Sequence, residues 1–456
     1  MKIGIPAETF AGERRVAATP EAVEKYGKLG FDVIVQTGAG DAAGIADARY
    51  TTATIVPDAA TVWADADIVL KVRPPSMAEV ALARRGQVVI ALFWPAQNPE
   101  LLAAMAATGA TTIALDQVPR ITRAQKLDVL SSQANLSGYR AIVEAAARFG
   151  RFFTGQVTAA GKVVPAKVLI IGAGVAGLAA IGTARALGGI VRAFDTRPAV
   201  REQVQSMGAE FLEVTVAEDG DGGGGYAKEM SPAFIAAEMA LFLEQAKEVD
   251  IIVTTALIPG KRAPTLITRE MVEAMRPGSI VVDMAAEQGG NCEVTQPGSV
   301  VSHNGVWIIG YTDLPSRMAE QASQLFGTNL YHLLDDMGRA ANFRVDMQDV
   351  VVRAMTVTHE GAVTWPAPKP APKAEVKAEV KAEPKPAAAP VAAPPPKAPA
   401  KKSGHGHAPP VEAPSTFANV MLGLTGAAVL GLGLVAPPAF LMHLLVFVLE
   451  IGRAHV

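Results

Sequence analysis

Residues 167–197 read KVLIIGAGVAGLAAIGTARALGGIVRAFDTR, and this stretch decides the fold. An apolar β-branched run leads into glycines with the spacing G-x-G-x-x-G, and a helix pattern rich in alanine and leucine follows them. A second apolar run then ends in Asp195. Strand, glycine turn, helix and strand in this order are typical of a doubly wound α/β domain. The stretch therefore predicts a parallel sheet with helices on both faces.

The same residues predict a site for a dinucleotide. Gly172 permits the tight turn, Gly174 lets the backbone approach a pyrophosphate, and Gly177 lets the helix pack closely on the strand. The helix would begin at Val175 and Ala176, whose free N–H groups and positive dipole end favour phosphate. A glycine turn that only packs within its sheet and binds no ligand is the alternative interpretation.

The end of the second strand indicates which dinucleotide is bound. Asp195 lies eighteen residues beyond Gly177, where a carboxylate accepts hydrogen bonds from the adenosine ribose. A carboxylate there repels a 2′-phosphate, so NAD(H) is favoured over NADP(H). Thr196 and Arg197 complete the predicted cofactor site. Arg197 weakens the preference for NAD(H), because an arginine at this place can serve NADP(H).

Strand and helix patterns alternate through two blocks of the chain. Residues 1–130 contain short β-branched runs such as KIGIP and VVIALF, and residues 131–313 contain the glycine turn and runs such as DIIVTTAL. Each block predicts a Rossmann-like lobe with a parallel sheet, and a cleft is expected between the lobes. An amphipathic helix pattern begins at Leu314. We expect it to return the chain to the first lobe, so that residues 314–365 complete that lobe.

The composition changes after Trp365. Residues 366–415 are rich in Pro, Ala and Lys, and this composition predicts a disordered tether. Residues 416–450 contain the uncharged run FANVMLGLTGAAVLGLGLV, which is predicted to be a transmembrane helix because it can span a bilayer at about 1.5 Å per residue. A shorter apolar run after it is interpreted as a truncated second helix. Residues 451–456 read IGRAHV, a translation of a common sequencing adaptor, and are expected to be a sequencing artefact.

Charge and composition restrict the class of protein. Eight lysines against four glutamates in the tether indicate that residues 1–415 lie on the cytoplasmic side of the membrane. The net charge of −3 and the lack of a basic stripe argue against nucleic-acid binding. A single cysteine, Cys292, excludes a disulfide framework. His405 and His407 lie in the tether without further ligands, so no metal site is predicted.

Three stretches carry a resemblance to a known family. They are GIPAET with ERRVAATPEAVEKYGKLGFDVIVQTGAG within residues 4–40, LKVRPP at 70–75, and the glycine turn. Together they resemble the family of alanine dehydrogenase and the α subunit of the proton-translocating NAD(P) transhydrogenase, over residues 1 to about 365. Trp94 stands where the dehydrogenase has a catalytic histidine, and Glu287 stands where it has an aspartate. The resemblance therefore favours the transhydrogenase branch.

The resemblance also implies residues that act on the nicotinamide. The stretch VPRITRAQKLDVLSSQANLSGYR, residues 118–140, is similar to the nicotinamide-binding loop of the transhydrogenases. Gln125 and Asp128 match residues expected to hydrogen-bond the carboxamide and the nicotinamide ribose. Ser131 is expected to steady the carboxamide. Arg120 is expected to reach a nucleotide held by a partner subunit or a cofactor phosphate. A solvated turn without function is the alternative interpretation of the whole stretch.

A second loop, residues 218–230, contains four consecutive glycines and Tyr226. In the family a tyrosine on such a loop folds over bound NAD(H), so the resemblance implies this role for Tyr226. It also implies backbone contacts near Gly225 and near Leu257, in the stretch TTALIPG. A flexible insertion without function is the alternative.

The first histidine of the chain is His303, and this bears on the reaction. Oxidation of an amine releases a proton as well as a hydride and needs a base. Exchange between two nicotinamide rings moves a hydride alone and needs mainly orientation and exclusion of water. The resemblance implies this exchange, from NADH on this chain to NADP⁺ on a β subunit, coupled to proton translocation, with α chains that pair.

Two other functions remain open from the residues alone. One is a membrane-anchored oxidoreductase similar to alanine dehydrogenase, and the other is an NAD-sensing membrane protein without enzymatic activity. Arg15 and Lys71 match positions that hold pyruvate in the dehydrogenase, and we expect them to be relics or to bind nothing. Asp335 and Asp336 are interpreted as a solvated helix end.

Overall fold

A computed structural model of the chain describes residues 1–216, 218, 220, 230–257 and 262–368. These residues form two large sheets made mostly of parallel strands, with helices on both faces of each sheet. The predicted α/β fold with Rossmann-like parallel sheets is confirmed. No helix of the described ranges has both the length and the apolar character that a bilayer span requires. The predicted tether beyond residue 368 and the whole predicted transmembrane segment lie outside the described residues.

The bounds of the elements follow in chain order. The strands are β1 (Lys2–Ile5), β2 (Asp32–Gln36), β3 (Thr54–Val56), β4 (Ile68–Leu70), β5 (Val88–Ala91), β6 (Thr111–Ala114), β7 (Gln156–Thr158), β8 (Gly161–Val163), β9 (Lys167–Ile171), β10 (Ile190–Phe194), β11 (Glu210–Leu212), β12 (Ile251–Thr254), β13 (Ile280–Asp283), β14 (Val300–His303), β15 (Val306–Ile309), β16 (Thr356–His359) and β17 (Ala362–Val363). The helices are α1 (Pro20–Lys28), α2 (Ala59–Asp65), α3 (Met77–Val80), α4 (Pro99–Thr108), α5 (Val129–Arg148), α6 (Val175–Ala186), α7 (Arg201–Ser206), α8 (Pro232–Glu248), α9 (Arg269–Ala274), α10 (Ala319–Asp336), α11 (Arg339–Asn342) and α12 (Val350–Met355).

The first sheet has the strand order β17-β16-β6-β5-β4-β1-β2-β3. Strands β1 to β6 are parallel, and β16 joins antiparallel to β6. The central strands are buried on both faces, as their continuous β-branched runs require. The strand order reverses between β1 and β4, and in open α/β sheets ligands bind at the carboxyl ends of the strands at such a switch point.

The second sheet has the order β11-β10-β9-β12-β13-β15-β14. All neighbours are parallel except β14, which forms an antiparallel edge. Its switch point lies between β9 and β12, and the glycine turn follows β9 directly. Both sheets therefore have the same doubly wound order.

The chain returns to the first sheet after β15. Phe326 and Leu330 of α10 are buried in the core that covers one face of that sheet. The Tyr26 hydroxyl on α1 donates to the carbonyl oxygen of Gly327 at 2.8 Å. This return brings α10 and α12 beside the segment that precedes α5, where several predicted site residues lie.

Candidate nucleotide site

The glycine turn after β9 is built so that two of its glycines cannot be replaced and the third faces open space. Gly172 has φ +98°, and a Cβ on it would stand 2.3 Å from Thr255 Oγ1. A Cβ on Gly177 would stand 1.8 Å from the carbonyl oxygen of Gly172. Among the described residues, no atom lies within 4 Å of the place where a Cβ on Gly174 would stand. The turn leaves room for a ligand at the position predicted for close approach of a pyrophosphate.

The N-terminus of α6 faces this open space. Helix α6 begins at Val175, and Gly174 has no side chain to cap it. The first backbone N–H groups of a helix lack intrahelical partners and carry a partial positive charge. Val175 is exposed and Ala176 half-buried, so their N–H groups are placed to bind an anion at the turn.

Asp195 directly follows β10, beside the turn, and its carboxylate already accepts four hydrogen bonds. Its Oδ2 accepts from the Ala173 N–H at 2.7 Å and from Arg197 Nη2 at 2.7 Å. Its Oδ1 accepts from the backbone N–H of Arg197 at 2.9 Å and from its Nε at 2.8 Å. A carboxylate has about four acceptor positions. A ribose hydroxyl can therefore bind Asp195 only in exchange for the Arg197 guanidinium, a competition that the sequence does not reveal.

A cavity of about 470 Å³ lies next to Asp195. Thr196 contributes to its lining, together with the apolar side chains of Phe211 and Val214. A mixed polar and apolar lining suits a nucleoside better than a fully charged group.

The segment before α5 brings together the residues predicted to act on the nicotinamide. Residues Thr122–Leu127 form a 3₁₀ helix that carries Gln125 on the surface, and Arg120 is also exposed. Asp128 caps α5, because its Oδ1 accepts from the Ser131 N–H at 2.9 Å and its Oδ2 from the Ser131 hydroxyl at 2.6 Å. Two of the predicted site residues thus form the cap of one helix.

Contacts that sequence reasoning missed hold this segment against the returning helices. Arg123 Nη2 donates to both carboxylate oxygens of Asp349, at 2.6 and 2.8 Å. Lys126 Nζ lies 2.6 Å from Asp336 Oδ1, and Asn329 Nδ2 donates to the Lys126 carbonyl oxygen at 2.9 Å. Asp336 is the exposed last residue of α10, as interpreted from the sequence, and its carboxylate also pairs with this segment. The partners are more than 200 residues apart, so no local pattern could have indicated them.

Helix α5 connects the two halves of the predicted site. Its first turn carries Asp128 and Ser131, and its middle passes the start of α6. A Cβ on Gly138 would stand only 2.0 Å from the carbonyl oxygen of Ala176. Seven residues of helix separate Ser131 from Gly138, which corresponds to about 10 Å at 1.5 Å per residue. The segment before α5, here called the nicotinamide segment for its predicted role, and the glycine turn are therefore joined by one rigid element.

Of the remaining predicted site residues, the structure describes one. Leu257 follows β12 and is exposed. Tyr226 and Gly225 lie outside the described residues.

Arg15 and Lys71 are buried and paired with carboxylates of the chain itself. Lys71 Nζ lies 2.8 Å from Glu79 Oε1 and 3.4 Å from Glu8 Oε2. Burial raises the pKa of Glu8 despite the charge of Lys71. Arg15 donates from two nitrogens to both carboxylate oxygens of Glu13, at 2.7 and 2.6 Å. Burial opposes the ionisation of Glu13, but the hydrogen bond and charge of Arg15 outweigh it and lower the pKa of Glu13.

Trp94 occupies the place where the dehydrogenase resemblance implies a histidine. Its backbone has φ +44°, a strained conformation for a residue with a side chain. Its ring centroid lies 5.5 Å from the guanidinium carbon of Arg73, and that arginine also pairs with Glu287 at 3.0 Å. An indole cannot accept or release a proton as imidazole does, so this position supplies an aromatic contact for a cation.

These features agree with the relationships of the chain. Residues 4–137 match the family described as Alanine dehydrogenase/PNT, N-terminal domain, and residues 141–366 match Alanine dehydrogenase/PNT, C-terminal domain. The chain belongs to the alanine dehydrogenase/PNT family. Apart from Lys2 and Ile3 of β1, the strands of both large sheets lie within the matched ranges.

Relatives in this family place the chain beside transhydrogenases. It is 51% identical to the NAD(P) transhydrogenase subunit alpha of Cereibacter sphaeroides, over 98% of this chain and 85% of that protein. It is 45% identical to a Rhodospirillum rubrum protein named as the first portion of NAD(P) transhydrogenase subunit alpha, over 80% of this chain and 98% of that protein. The crystal structure of transhydrogenase from Sinorhizobium meliloti is similar, with a TM-score of 0.71 and 44% identity over 80% of this chain and all of that chain. The predicted membership of this family is confirmed.

Proposed function

We propose that this chain is the NAD(H)-binding α subunit of a proton-translocating transhydrogenase of the bacterial inner membrane, with residues 1–415 on the cytoplasmic side. NADP(H) is held by a partner β subunit, and hydride transfer between the two nucleotides is coupled to proton translocation. High identity to proteins named NAD(P) transhydrogenase subunit alpha supports the assignment. The observation that carries it is helix α5, which joins the nicotinamide segment to the glycine turn.

The described residues fit NAD(H). The open space at Gly174 and the uncapped start of α6 at Val175 and Ala176 suit a pyrophosphate. Asp195 suits the adenosine ribose once Arg197 moves aside, and the adjacent cavity suits the nucleoside. The chemistry that the nucleotide supplies when bound is the gain or loss of a hydride at its nicotinamide ring.

The nicotinamide segment orients the ring. Gln125 and Asp128 hydrogen-bond the carboxamide and the nicotinamide ribose, and Ser131 steadies the carboxamide. Arg120, which is exposed, reaches the partner's nucleotide or a cofactor phosphate. Tyr226 closes over the nucleotide and excludes water, and the backbone near Gly225 and Leu257 contacts it.

Hydride transfer between two nicotinamides requires orientation more than acid–base chemistry. Trp94 and the pairing of Arg73 with Glu287 support this reaction over oxidation of an amino acid. In that oxidation a base must accept a proton. Here the tryptophan cannot act as that base, and the Glu287 carboxylate already accepts a hydrogen bond from the Arg73 guanidinium at 3.0 Å.

The experiment that tests this function combines the purified chain with a transhydrogenase β subunit in lipid vesicles. We expect NADH-dependent reduction of an NADP⁺ analogue together with acidification or alkalinisation of the vesicle interior. The chain alone should bind NADH, and it should neither form pyruvate from alanine and NAD⁺ nor move protons. Pyruvate formation by the chain alone would instead support the dehydrogenase-like alternative.

A further inference from the structure

A buried arginine at the switch point of the first sheet joins the two lobes. Arg73 lies just after β4 and is only 7% exposed. Its Nε donates to Glu13 Oε2 at 2.8 Å, within the first lobe. Its Nη1 donates to Glu287 Oε1 at 3.0 Å, and Glu287 belongs to the loop that follows β13 of the second sheet. One guanidinium therefore bridges carboxylates from both lobes.

The Arg73 side chain is held in this orientation. Its guanidinium carbon lies 4.7 Å from the ring centroid of Phe10 and 5.5 Å from that of Trp94. Aromatic faces at these distances attract a cation, and they also restrict the rotation of the planar group. Lysine has neither the plane nor the separated donors that allow two carboxylates to be bridged in fixed directions.

The network continues from Glu13 to helix α5. Arg15 donates to Glu13 from Nε and Nη2, and its Nη1 donates to Gln133 Oε1 at 2.9 Å. Gln133 is buried in the early turns of α5 and donates from Nε2 to the Ala322 carbonyl oxygen of α10 at 3.1 Å. Every step is a direct hydrogen bond, and all but the last involve an ionised partner, which makes them the stronger kind.

We propose that Arg73 is a positioning residue that fixes the start of helix α5 relative to the second lobe. It acts through Glu13, Arg15 and Gln133. The proposal rests on the proposed function in one respect, because Asp128 and Ser131 at the start of α5 are there assigned to the nicotinamide. The packing of Gly138 against Ala176 holds the middle of α5 on the second lobe. The Arg73 network is a second link, which acts at the start of the same helix, where Asp128 and Ser131 lie.

The consequence for the reaction is large even if the structural change is small. Misplacement of reacting groups by about 1 Å can slow a reaction roughly a hundredfold. Loss of the link should therefore reduce the rate of hydride transfer far more than it weakens NADH binding. It should also loosen the first turn of α5 in the absence of any nucleotide.

The test uses Glu287→Ala, because Glu287 is half exposed and its removal leaves the buried portion of the network intact. Glu273→Ala is the matched control. Glu273 is similarly exposed in the second lobe, and its Oε1 lies 2.9 Å from His303 Nε2. Arg73→Lys keeps the positive charge but lacks the planar fork whose separate nitrogens reach Glu13 and Glu287. Each full-length variant is compared with the wild type by amide hydrogen exchange, by NADH titration, and by hydride transfer with the β subunit.

We expect the amides of Ser131 and Ser132 to exchange about tenfold faster in Glu287→Ala and Arg73→Lys, since local opening is governed by local contacts. Transfer should slow at least about tenfold in both, with NADH affinity within about threefold of wild type. Glu273→Ala should match the wild type in all three measurements. Unchanged exchange at the start of α5, or faster exchange spread evenly over the first sheet, would overturn the proposal. If exchange responds locally but no variant and no wild type transfers hydride, the network stands and the proposed function fails.

Discussion

At the scale of single residues, the glycine turn allows structural and ligand-binding roles to be separated. Gly174→Ala should fold normally, because no described atom lies within 4 Å of the added Cβ. It should weaken NADH binding at least about tenfold, since the methyl group enters the space left for the pyrophosphate. Gly177→Ala should instead destabilise the fold, because its Cβ would overlap the Gly172 carbonyl oxygen. Thermal unfolding and NADH titration of both variants distinguish the two effects. Normal NADH affinity in Gly174→Ala would contradict the site.

The pairing of Asp195 with Arg197 leads to opposite predictions for the two residues. Asp195→Asn should weaken NADH binding, because it removes the charged acceptor for the ribose. It should also narrow the preference for NADH over NADPH, because the repulsion of a 2′-phosphate is lost with the charge. Arg197→Gln should widen that preference, since the ribose no longer competes with the guanidinium for the Asp195 carboxylate. We expect wild type to bind NADH well above NADPH in titrations. Equal affinities in wild type would remove Asp195 from its assigned role.

Glu238 makes the stability of the second lobe depend on pH. It lies on α8 among buried side chains, and burial raises its pKa from 4.5 to about 7. The folded-state pKa of Glu238 is above its unfolded value. The contribution of this side chain to the free energy of unfolding is therefore complete below about pH 4.5 and is lost as the pH rises through about 7. Glutamine does not ionise, so only the wild type loses stability as the pH rises. From about pH 5 to pH 8, the free energy of unfolding of Glu238→Gln should therefore increase relative to that of wild type by up to roughly 3 kcal/mol. Urea unfolding of residues 1–374 at both pH values measures this difference. A constant difference between the variants would show that Glu238 ionises freely in the folded state.

That fragment is a suitable unit for measurement. The described residues within 1–374 form one compact unit that contains both large sheets. The Rhodospirillum rubrum relative is matched over 98% of its length by 80% of this chain, so a polypeptide of about this extent exists as a separate chain.

At the scale of elements, the cap of α5 complicates any test of Asp128. The residue has two roles in our interpretation, as N-cap and as a member of the nicotinamide site. Asp128→Ala removes both, and loss of an N-cap costs about 1 kcal/mol. Asp128→Asn keeps a capping side chain and should retain stability, but it should still slow hydride transfer. Gln125→Ala, at an exposed position with no cap, should slow transfer with little effect on NADH affinity or stability. Wild-type transfer rates in both Asp128→Asn and Gln125→Ala would refute the assignment of this segment.

The sequence predicts those elements whose causes are local. The glycine turn, the strand before it and the helix after it follow from residues within one stretch, and the same holds for the parallel strands with continuous β-branched runs. The 3₁₀ helix at Thr122–Leu127 and its anchors are different. Arg123 meets Asp349 and Lys126 meets Asp336 only because α10 returns to the first sheet. Charged residues separated by more than 200 positions carry no periodicity that could indicate such pairs.

At the scale of the whole molecule, the sequence indicates two lobes but not what joins them. The resemblance matches Arg15 and Lys71 to positions that hold pyruvate in the dehydrogenase, and we expect them to be relics or to bind nothing. It indicates neither their glutamate partners nor the bridge formed by Arg73. These side chains come from the ends of different strands and from both sheets, so only the strand order places them together. A crevice at a switch point usually binds a ligand. In this chain, internal ion pairs occupy the crevice at the switch point of the first sheet. The crevice at the switch point of the second sheet contains the open glycine turn.

A small hairpin between α5 and β9 is a candidate surface for the pairing of two copies. Strands β7 and β8 form a separate two-stranded antiparallel hairpin, and an isolated hairpin is marginally stable in water. Three apolar side chains on and beside it are exposed: Val157 by 79%, Val164 by 72% and Phe152 by 53%. Burial of such side chains against a second chain would stabilise the hairpin, since it removes apolar surface from water.

We therefore expect residues 1–374 to sediment as a dimer, and the double variant Val157→Lys, Val164→Lys to sediment as a monomer. Val363→Lys is the matched control, because Val363 is also an exposed valine on a short strand but lies at the edge of the first sheet. It should remain dimeric. NADH binding should persist in the monomeric variant, because the glycine turn and Asp195 lie within one chain. A wild-type fragment that sediments as a monomer at micromolar concentration, or a double variant that stays dimeric, would exclude the hairpin as the pairing surface.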